Sequence, residues 1–435
     1  MKYYCLGIKG TGMSTLAQIL SDLGNEVSGY DDALDYKFTQ EGLDKRNIKI
    51  YYDQSYNLDK DTIVTYSVAC PPDHKELIRA KELGITIKKY NEIVGEITNM
   101  FSTISVSGTH GKTTTTSIIR HILEKTVGCN YFVGSGDGKV SKDNKYFVIE
   151  SDEFNRHFLA YHPTYTIITN IEAEHLECYK DIDDIRTTFE KFASLTKEFV
   201  VACGDNKEVR RINYGIPVTY YGFSEENDVI IKNLQLNEDS SVFELYINNE
   251  LYGKFSIPLY GKHMVLDAAA AIILCKKIGI EKEKIEDLLK TFENAKRRFA
   301  IDSINNTILI DDYAHHPTEI KATLEAVKQK YPNKKVVAIF KPNTYSRTRD
   351  FTDDFVDALS IADKVFLTEI ESNREKQDDY PNVSSSLITS KISDSEIIDE
   401  NEVSFIKDYK DYIICIMSCA SVSHLIDNIK KTLCI

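Results

Sequence analysis

The chain has 435 residues, 42% hydrophobic and 28% charged, with a formal net charge of −14. That length exceeds one ordinary core and points to about three domains; the acidic balance argues against nucleic-acid or anionic-membrane binding, though not against a locally basic phosphate pocket. No apolar run approaches a membrane span, the first residues lack a signal-peptide plan, and the nine cysteines have no regular spacing, so a reduced, cytoplasmic protein without membrane insertion is expected.

Residues 3–8 read as a strand, overlapping the glycine turn Gly7-Ile8-Lys9-Gly10-Thr11-Gly12-Met13-Ser14, and a helix follows over 15–23. A second strand over 26–31 ends in Asp31. A βαβ unit with a glycine-rich turn and an acid about twenty residues on suits a diphosphate and a ribose. Lys9 stands at the second glycine position of that pattern, where a side chain crowds the backbone but an ammonium can meet phosphate instead. Strands over 62–67 and 86–88, with a turn and helix over 71–83, complete a first domain, 1–98.

The second domain, 99–297, opens on the most informative stretch of the chain. A β-branched run, Ile104-Ser105-Val106-Ser107, leads into Gly108-Thr109-His110-Gly111, then Lys112 and the threonines Thr113 and Thr114. The order is strand, phosphate loop, helix N-terminus, with two residues between the glycines where the usual motif has four. Backbone N–H groups in such a turn converge on phosphate oxygens, and the helix dipole favours the same charge. Lys112 can reach the β/γ-phosphates, and the Thr113 hydroxyl can ligate Mg²⁺. Residues 134–138 read as a flexible turn, and an apolar strand from 146 ends in Glu150-Ser151-Asp152-Glu153. Glu150, at the end of a buried parallel strand, is placed as a magnesium ligand or a water-orienting group. A strand over 164–169 runs into Asn170-Ile171-Glu172-Ala173-Glu174-His175, where His175 is either a second metal ligand or a structural imidazole. Residues 199–255 read as sheet packed beside this core. Helices over 265–278 and 282–292 lead to Lys296-Arg297-Arg298-Phe299, a candidate phosphate clamp or a solvated hinge.

The third domain, 298–435, repeats a βα rhythm: strands over 307–310, 335–340, 364–367 and 412–417, helices over 318–330, 351–362 and 422–433. Right-handed crossovers make this an open parallel sheet with ligands at the strand ends. Those ends carry Asp311-Asp312-Tyr313-Ala314-His315-His316-Pro317 and Lys341-Pro342-Asn343-Thr344-Tyr345-Ser346-Arg347, one acidic and histidine-bearing lip and one arginine-bearing lip.

Taken in order along the whole chain, Gly108 to Thr114, Asn170 to His175, Arg297-Arg298-Phe299, Asp311 to Glu319 and Tyr345-Ser346-Arg347-Thr348 resemble the Mur ligases. The resemblance implies an α/β protein of three domains: an N-terminal Rossmann-like domain for a UDP-sugar, a central P-loop ATPase-type domain with a mostly parallel sheet and extra strands, and a C-terminal Rossmann-like domain. It implies an ATP- and Mg²⁺-dependent ligase that joins an amine to a sugar carboxylate through an acyl phosphate, with UDP-N-acetylmuramate and L-alanine as substrates. A preformed peptide in place of alanine, or a catalytically impaired nucleotide-binding regulator, are the alternatives; a monomer or a homodimer is expected. By the same resemblance, Gly108, Thr109, His110, Gly111, Lys112, Thr113 and Thr114 cradle ATP. Thr113 and Glu150 hold one Mg²⁺, and His175 a second. Arg298 and Asp312 hold the nucleotide from the other side, and Tyr313, His315 and Arg347 orient the muramyl carboxylate and the amino acid. Gly7, Gly10, Gly12, Met13, Ser14 and Asp31 hold the UDP moiety. The catalytic set is then Lys112, His175, His315 and Arg347. The chain departs from the family pattern at Lys9, Glu174, Met264, Asp267, Asn343 and the turn 418–422.

Overall fold

The computed structural model describes residues 1–372 and 375–434. Three sheets carry the described residues. In the first, Lys49–Tyr51, Glu26–Tyr30, Lys2–Leu6, Thr62–Tyr66 and Thr86–Lys89 lie in that order, all parallel. The central strand shows why: Tyr3 and Cys5 pack with Leu16, Ile19 and Leu20 of the helix Thr11–Asp22, while Tyr4 and Leu6 pack with Leu77 and Ala80 of Lys75–Glu82. Apolar residues on both faces of one strand require cover on both sides, which is the condition for a parallel sheet.

The second sheet centres on Tyr165–Ile168, Ser102–Ser107, Tyr146–Glu150 and Cys129–Val133, parallel throughout. Phe199–Cys203 and Val218–Gly222 continue it, again parallel, on the side of Tyr165–Ile168. The strands expected over 199–255 beside the central core are thus extra strands of the same sheet. Val200, Val201 and Ala202 are fully buried, and such a strand belongs inside a sheet rather than beside one. The turn expected over 134–138 holds for 134–136 but is corrected beyond it, because Asp137–Lys139 is a strand antiparallel to Cys129–Val133. Two donors from residues 1–98 hold this hairpin: Gln18 Nε2, on the helix Thr11–Asp22, to the carbonyl of Gly136 and Arg46 Nη2, in the turn after Gln40–Asp44, to that of Gly138, both at 2.9 Å. The first two sheets accordingly share one compact unit, Met1–Lys232, Glu244–Phe255 and Leu266–Phe292.

The second compact unit comprises Asn233–Phe243, Ser256–Val265 and Glu293–Ile435. Its sheet runs Ala300–Ile304, Thr307–Asp312, Ile413–Met417, Val336–Phe340, Lys364–Leu367 and Ser395–Ile397. The first pair is antiparallel and the rest parallel, so the expected open parallel sheet carries one reversed edge strand.

Candidate functional site

The strand Ser102–Ser107 is buried along nearly its whole length and delivers the chain to the turn Gly108–Gly111 at the head of the helix Lys112–Glu124. Gly111 has φ +83°, and a Cβ there would stand 2.3 Å from Oδ1 of Asp267. Only glycine fits that backbone and that approach. The end of the neighbouring strand braces the turn. Thr109 N donates to the carbonyl of Asn170 at 3.0 Å and His110 N to its Oδ1 at 2.8 Å, while Asn170 Nδ2 donates back to the carbonyl of His110 at 3.0 Å. Glu172 N donates to Thr109 Oγ1 at 2.9 Å. The segment 170–172 thus holds the loop in shape before any anion arrives.

Thr113, on the first turn of the helix, donates its hydroxyl to Glu150, 3.0 Å from each carboxylate oxygen, and Gly134 N donates to Glu150 Oε2 at 2.8 Å. One hydroxyl and one carboxylate at a helix N-terminus, with the loop amides beside them, make a hard oxygen donor set suited to Mg²⁺. Lys112 folds back over the turn, donating to the carbonyls of Gly108 and Thr109. It also pairs with a residue that motif spacing does not single out: Glu153, 3% exposed, with Oε1 at 3.0 Å and Oε2 at 2.9 Å. Burial opposes the charge on Lys112, but the carboxylates of Glu153, Asp152 and Glu150 outweigh it and hold the ammonium above the usual lysine range. Burial likewise pushes the Glu153 carboxyl up, against the pull of Lys112.

Asp152, Glu153 and His175 offer ligand atoms that all lie within 4.8 Å of one another. Two carboxylates and an imidazole fit a divalent cation such as Mg²⁺ or Mn²⁺. His175 is held in the left-handed region at φ +56°, as are Asn155 and Arg156 at +50° and +58°. Non-glycine residues held there cost on the order of 1–3 kcal/mol each, and such strain clusters at functional sites. Burial lowers the His175 imidazole, but Glu177, Glu174, Glu153 and Asp152 more than compensate and raise it. The structure therefore brings Lys112, Thr113 and Glu150 together at one loop, and places His175 with Asp152 and Glu153. The signal for the last two was the acid run after Glu150, which no fixed spacing rule covers.

The first glycine turn is tied to its own loop. Gly10 N donates to the carbonyl of Gly7 at 2.9 Å, and Ser14 Oγ to that of Thr39 at 2.9 Å. Met13 is buried, and Gly12 lies under the Tyr90 ring. Asp31 accepts from Lys9 N at 2.8 Å and from Ala33 N at 3.0 Å. The Lys9 ammonium, in a side chain only 1% exposed, does not face outward for a phosphate. It donates to the carbonyls of Ala33 at 2.6 Å and Asp35 at 3.1 Å and stands 4.6 Å from the Tyr52 ring centre.

In the second unit, Asp312 is buried and fully engaged: Oδ2 accepts from Phe299 N at 2.7 Å, Oδ1 from Ala314 N at 2.8 Å and Thr323 Oγ1 at 3.2 Å. Burial raises its carboxyl, with Arg298 pulling the other way. The same backbone holds Arg298 over the Tyr313 ring at 4.9 Å, with the His315 ring 5.6 Å from that of Tyr313. His315 Nδ1 lies 3.0 Å from Glu319. Arg297 pairs with Asp311 at 3.2 Å and donates to the carbonyl of Ser418 at 2.7 Å. Arg347, on the short helix Tyr345–Asp350, donates to Asn343 Oδ1 at 3.0 Å. Arg298, Asp312, Tyr313 and His315 thus form one cluster around the strand end at 312.

Three family descriptions match the chain in order: "Mur ligase family, catalytic domain" over residues 2–102, "Mur ligase middle domain" over 106–275 and "Mur ligase, glutamate ligase domain" over 297–423. Among solved structures, the UDP-N-acetylmuramate-alanine ligase of Thermotoga maritima is similar at a TM-score of 0.82 and 24% identity, covering 100% of this chain and 98% of that one. A murein peptide ligase from Psychrobacter arcticus is similar at 0.73 and 21%, with the same coverage of 100% and 98%. The MurF ligase of Thermotoga maritima, solved in complex with ADP, is similar at 0.67 and 17%, covering 95% of this chain and 97% of that one.

Proposed function

The chain belongs to the Mur ligase family, and on that premise we propose that it is an ATP-dependent amide ligase joining L-alanine to the carboxylate of UDP-N-acetylmuramate, with ADP and phosphate released. The observation that supports this most is the loop Gly108–Gly111 with Lys112 folded over it and Thr113 set against Glu150. In this reading residues 1–98 bind the UDP-sugar, 99–297 bind ATP, and 298–435 supply groups to the muramyl carboxylate and the amine. The reaction would belong to cytoplasmic peptidoglycan-precursor synthesis; among the described residues no helix is long and apolar enough to cross a membrane.

The chemistry follows from what the side chains can do. A carboxylate resists attack by an amine, so its oxygen is first phosphorylated by ATP. Phosphoryl transfer asks mainly for positioning and charge neutralisation. The amides of the loop and the Lys112 ammonium supply both at the triphosphate. Thr113 and Glu150, and His175 with Asp152 and Glu153, are the groups that would hold Mg²⁺, which supplies charge neutralisation at the phosphoryl oxygens when bound. The neutral amine of alanine then attacks the acyl phosphate, and the tetrahedral oxyanion needs a cation or N–H group beside it. Tyr313, His315 and Arg347 of the second unit are the residues proposed to orient the carboxylate and the amine, with Arg298 and Asp312 proposed to hold the nucleotide.

Phosphate release from ATP with UDP-N-acetylmuramate, offered L-alanine, each other amino acid or a tripeptide in turn, tests the reading. Release with L-alanine alone is the expected result. Release with the tripeptide alone makes the protein a peptide-joining ligase, and no release with any of these amines makes it a regulator that binds nucleotide without turnover.

A further inference from the structure

All three hydrogens of the Lys112 ammonium are committed inside the protein. Two go to the backbone carbonyls of Gly108 and Thr109, and the third to the carboxylate of Glu153. A lysine offers three donors and no acceptor, so a phosphate oxygen reaches Lys112 only by displacing one of these partners. The carbonyls belong to the braced loop and are held in place with it. Glu153 is a side-chain anion of the same charge class as the arriving phosphate, and exchange of one anion for another keeps the charge-assisted bond.

The displaced carboxylate has a second place to go. The main-chain carbonyl of Glu153 is fixed by the Tyr179 hydroxyl, so the change required is a rotation of the side chain alone. One of its oxygens already lies within 4.8 Å of ligand atoms on Asp152 and His175. Without a cation, moving Glu153 off Lys112 leaves a nearly buried anion beside Asp152 and an incoming triphosphate, a costly arrangement. With a divalent cation, the same carboxylate gains a partner.

We propose that Glu153 is a removable stand-in for the terminal phosphate on Lys112, drawn off the ammonium by a divalent cation shared with Asp152 and His175. Metal and nucleoside triphosphate then enter this site cooperatively, and by linkage each raises the affinity of the other by one common factor. The proposal rests on the loop being a triphosphate site, as the proposed function has it.

The test is equilibrium binding of a non-hydrolysable imido analogue of ATP to the full chain, in EDTA and in excess Mn²⁺. The proteins are the wild type, Glu153→Gln, Lys112→Met and the double variant. In EDTA, Glu153→Gln should bind the analogue about tenfold or more tightly than wild type, and the same substitution should change nothing in the Lys112→Met background. Mn²⁺ titrated alone and followed by electron paramagnetic resonance should bind wild type and bind Glu153→Gln more weakly. Metal-free binding that is equal or weaker in Glu153→Gln, or Mn²⁺ binding unaffected by it, overturns the latch and leaves the proposed function standing. A wild type that binds no analogue in either buffer overturns both. Thermal unfolding is read first, and Glu153→Ser takes the place of the glutamine variant if that one is unfolded.

Discussion

The first compact unit contains two strand–glycine turn–helix crossings with a lysine in each, and they come out differently. In the turn after Ser102–Ser107 the lysine is the first helical residue, and its ammonium reaches back over the loop to Gly108, Thr109 and Glu153. In the turn after Lys2–Leu6 the lysine lies inside the turn, two residues before the helix Thr11–Asp22, and its ammonium is consumed by the carbonyls of Ala33 and Asp35. Side chains at the head of a helix point back toward its N-terminus, so Lys112 covers the space where helix amides converge. Lys9 has no such direction imposed on it and instead ties down the neighbouring loop. A glycine-rich turn with a basic residue is therefore not one chemistry but two, separated by where the lysine falls relative to the helix start.

The largest expected effect breaks the first of these turns. Lys112→Ala should lower ligation turnover by about 10²–10³-fold or more, the scale of losing one preorganised charge partner in a transition state. Binding of the UDP-sugar, followed by calorimetry, should stay within a few-fold of wild type, because that ligand is assigned to residues 1–98. Equal loss of both activities would mean that the two turns serve a single ligand. The next effect comes from a matched pair of glycines. Gly111→Ala meets both a φ of +83° and the Asp267 carboxylate at 2.3 Å, whereas Gly7→Ala meets a φ of +70° with no atom within 4 Å. Gly7→Ala should cost only the left-handed backbone strain, about 1–2 kcal/mol in denaturant unfolding. Gly111→Ala should cost more than that and also weaken nucleotide binding, because Asp267 has to move. Lys9→Ala comes third. It removes two charge-assisted hydrogen bonds to carbonyls, one of them at 2.6 Å, and should cost about 1.5–3 kcal/mol. Hydrogen exchange should quicken at the amides of 33–39 and stay unchanged at 108–113. An unchanged exchange rate at 33–39 would show that Asp31 alone holds that loop.

Much of this architecture can be read from local pattern. Short apolar runs bounded by turns mark strands such as Phe199–Cys203 and Lys364–Leu367 at their observed limits, because a fully buried strand needs little beyond its own composition to be recognised. The three-sheet α/β layout agrees with the expectation for the same reason. Asp137–Lys139 was illegible: three glycines in five residues signal a loop, and only Gln18 and Arg46, over ninety residues away in sequence, turn it into a paired strand. At the candidate site, Lys112 and Thr113 follow from spacing to Gly111, and Glu150 from its position at a strand end. Glu153 does not follow from either. It reaches Lys112 because the chain turns sharply after it, with Asn155 and Arg156 both at positive φ, and because Tyr179 pins its carbonyl. Those are consequences of tertiary packing that no motif encodes. Asp31 and Asp312 teach the converse, since their presence is legible while the backbone amides that occupy their oxygens are not.

The smallest expected effect concerns the seam that keeps the two turns in one unit. His157 packs with its ring 6.1 Å from that of Tyr90, at the start of the first region's last helix, and 6.3 Å from that of Phe154, next to Glu153. Burial lowers the His157 imidazole below its ordinary value of 6.5, with the carboxylate of Asp152 partly offsetting it. A histidine whose folded pKa is depressed binds its proton more readily when unfolded, so its neutral form stabilises the fold above the ordinary value. That contribution is lost as pH falls from 6.5 toward the lower folded value. Wild type should therefore lose stability across this window relative to His157→Phe, which cannot titrate. The difference should be smaller than any of the preceding ones and should vanish near neutrality. Denaturant midpoints measured at several pH values for both proteins give the comparison. A constant offset between them would mean that the ring matters for its shape and not for its proton. Exchange at the amides of 90–98 then distinguishes a seam that loosens in acid from a stability change spread over the whole unit.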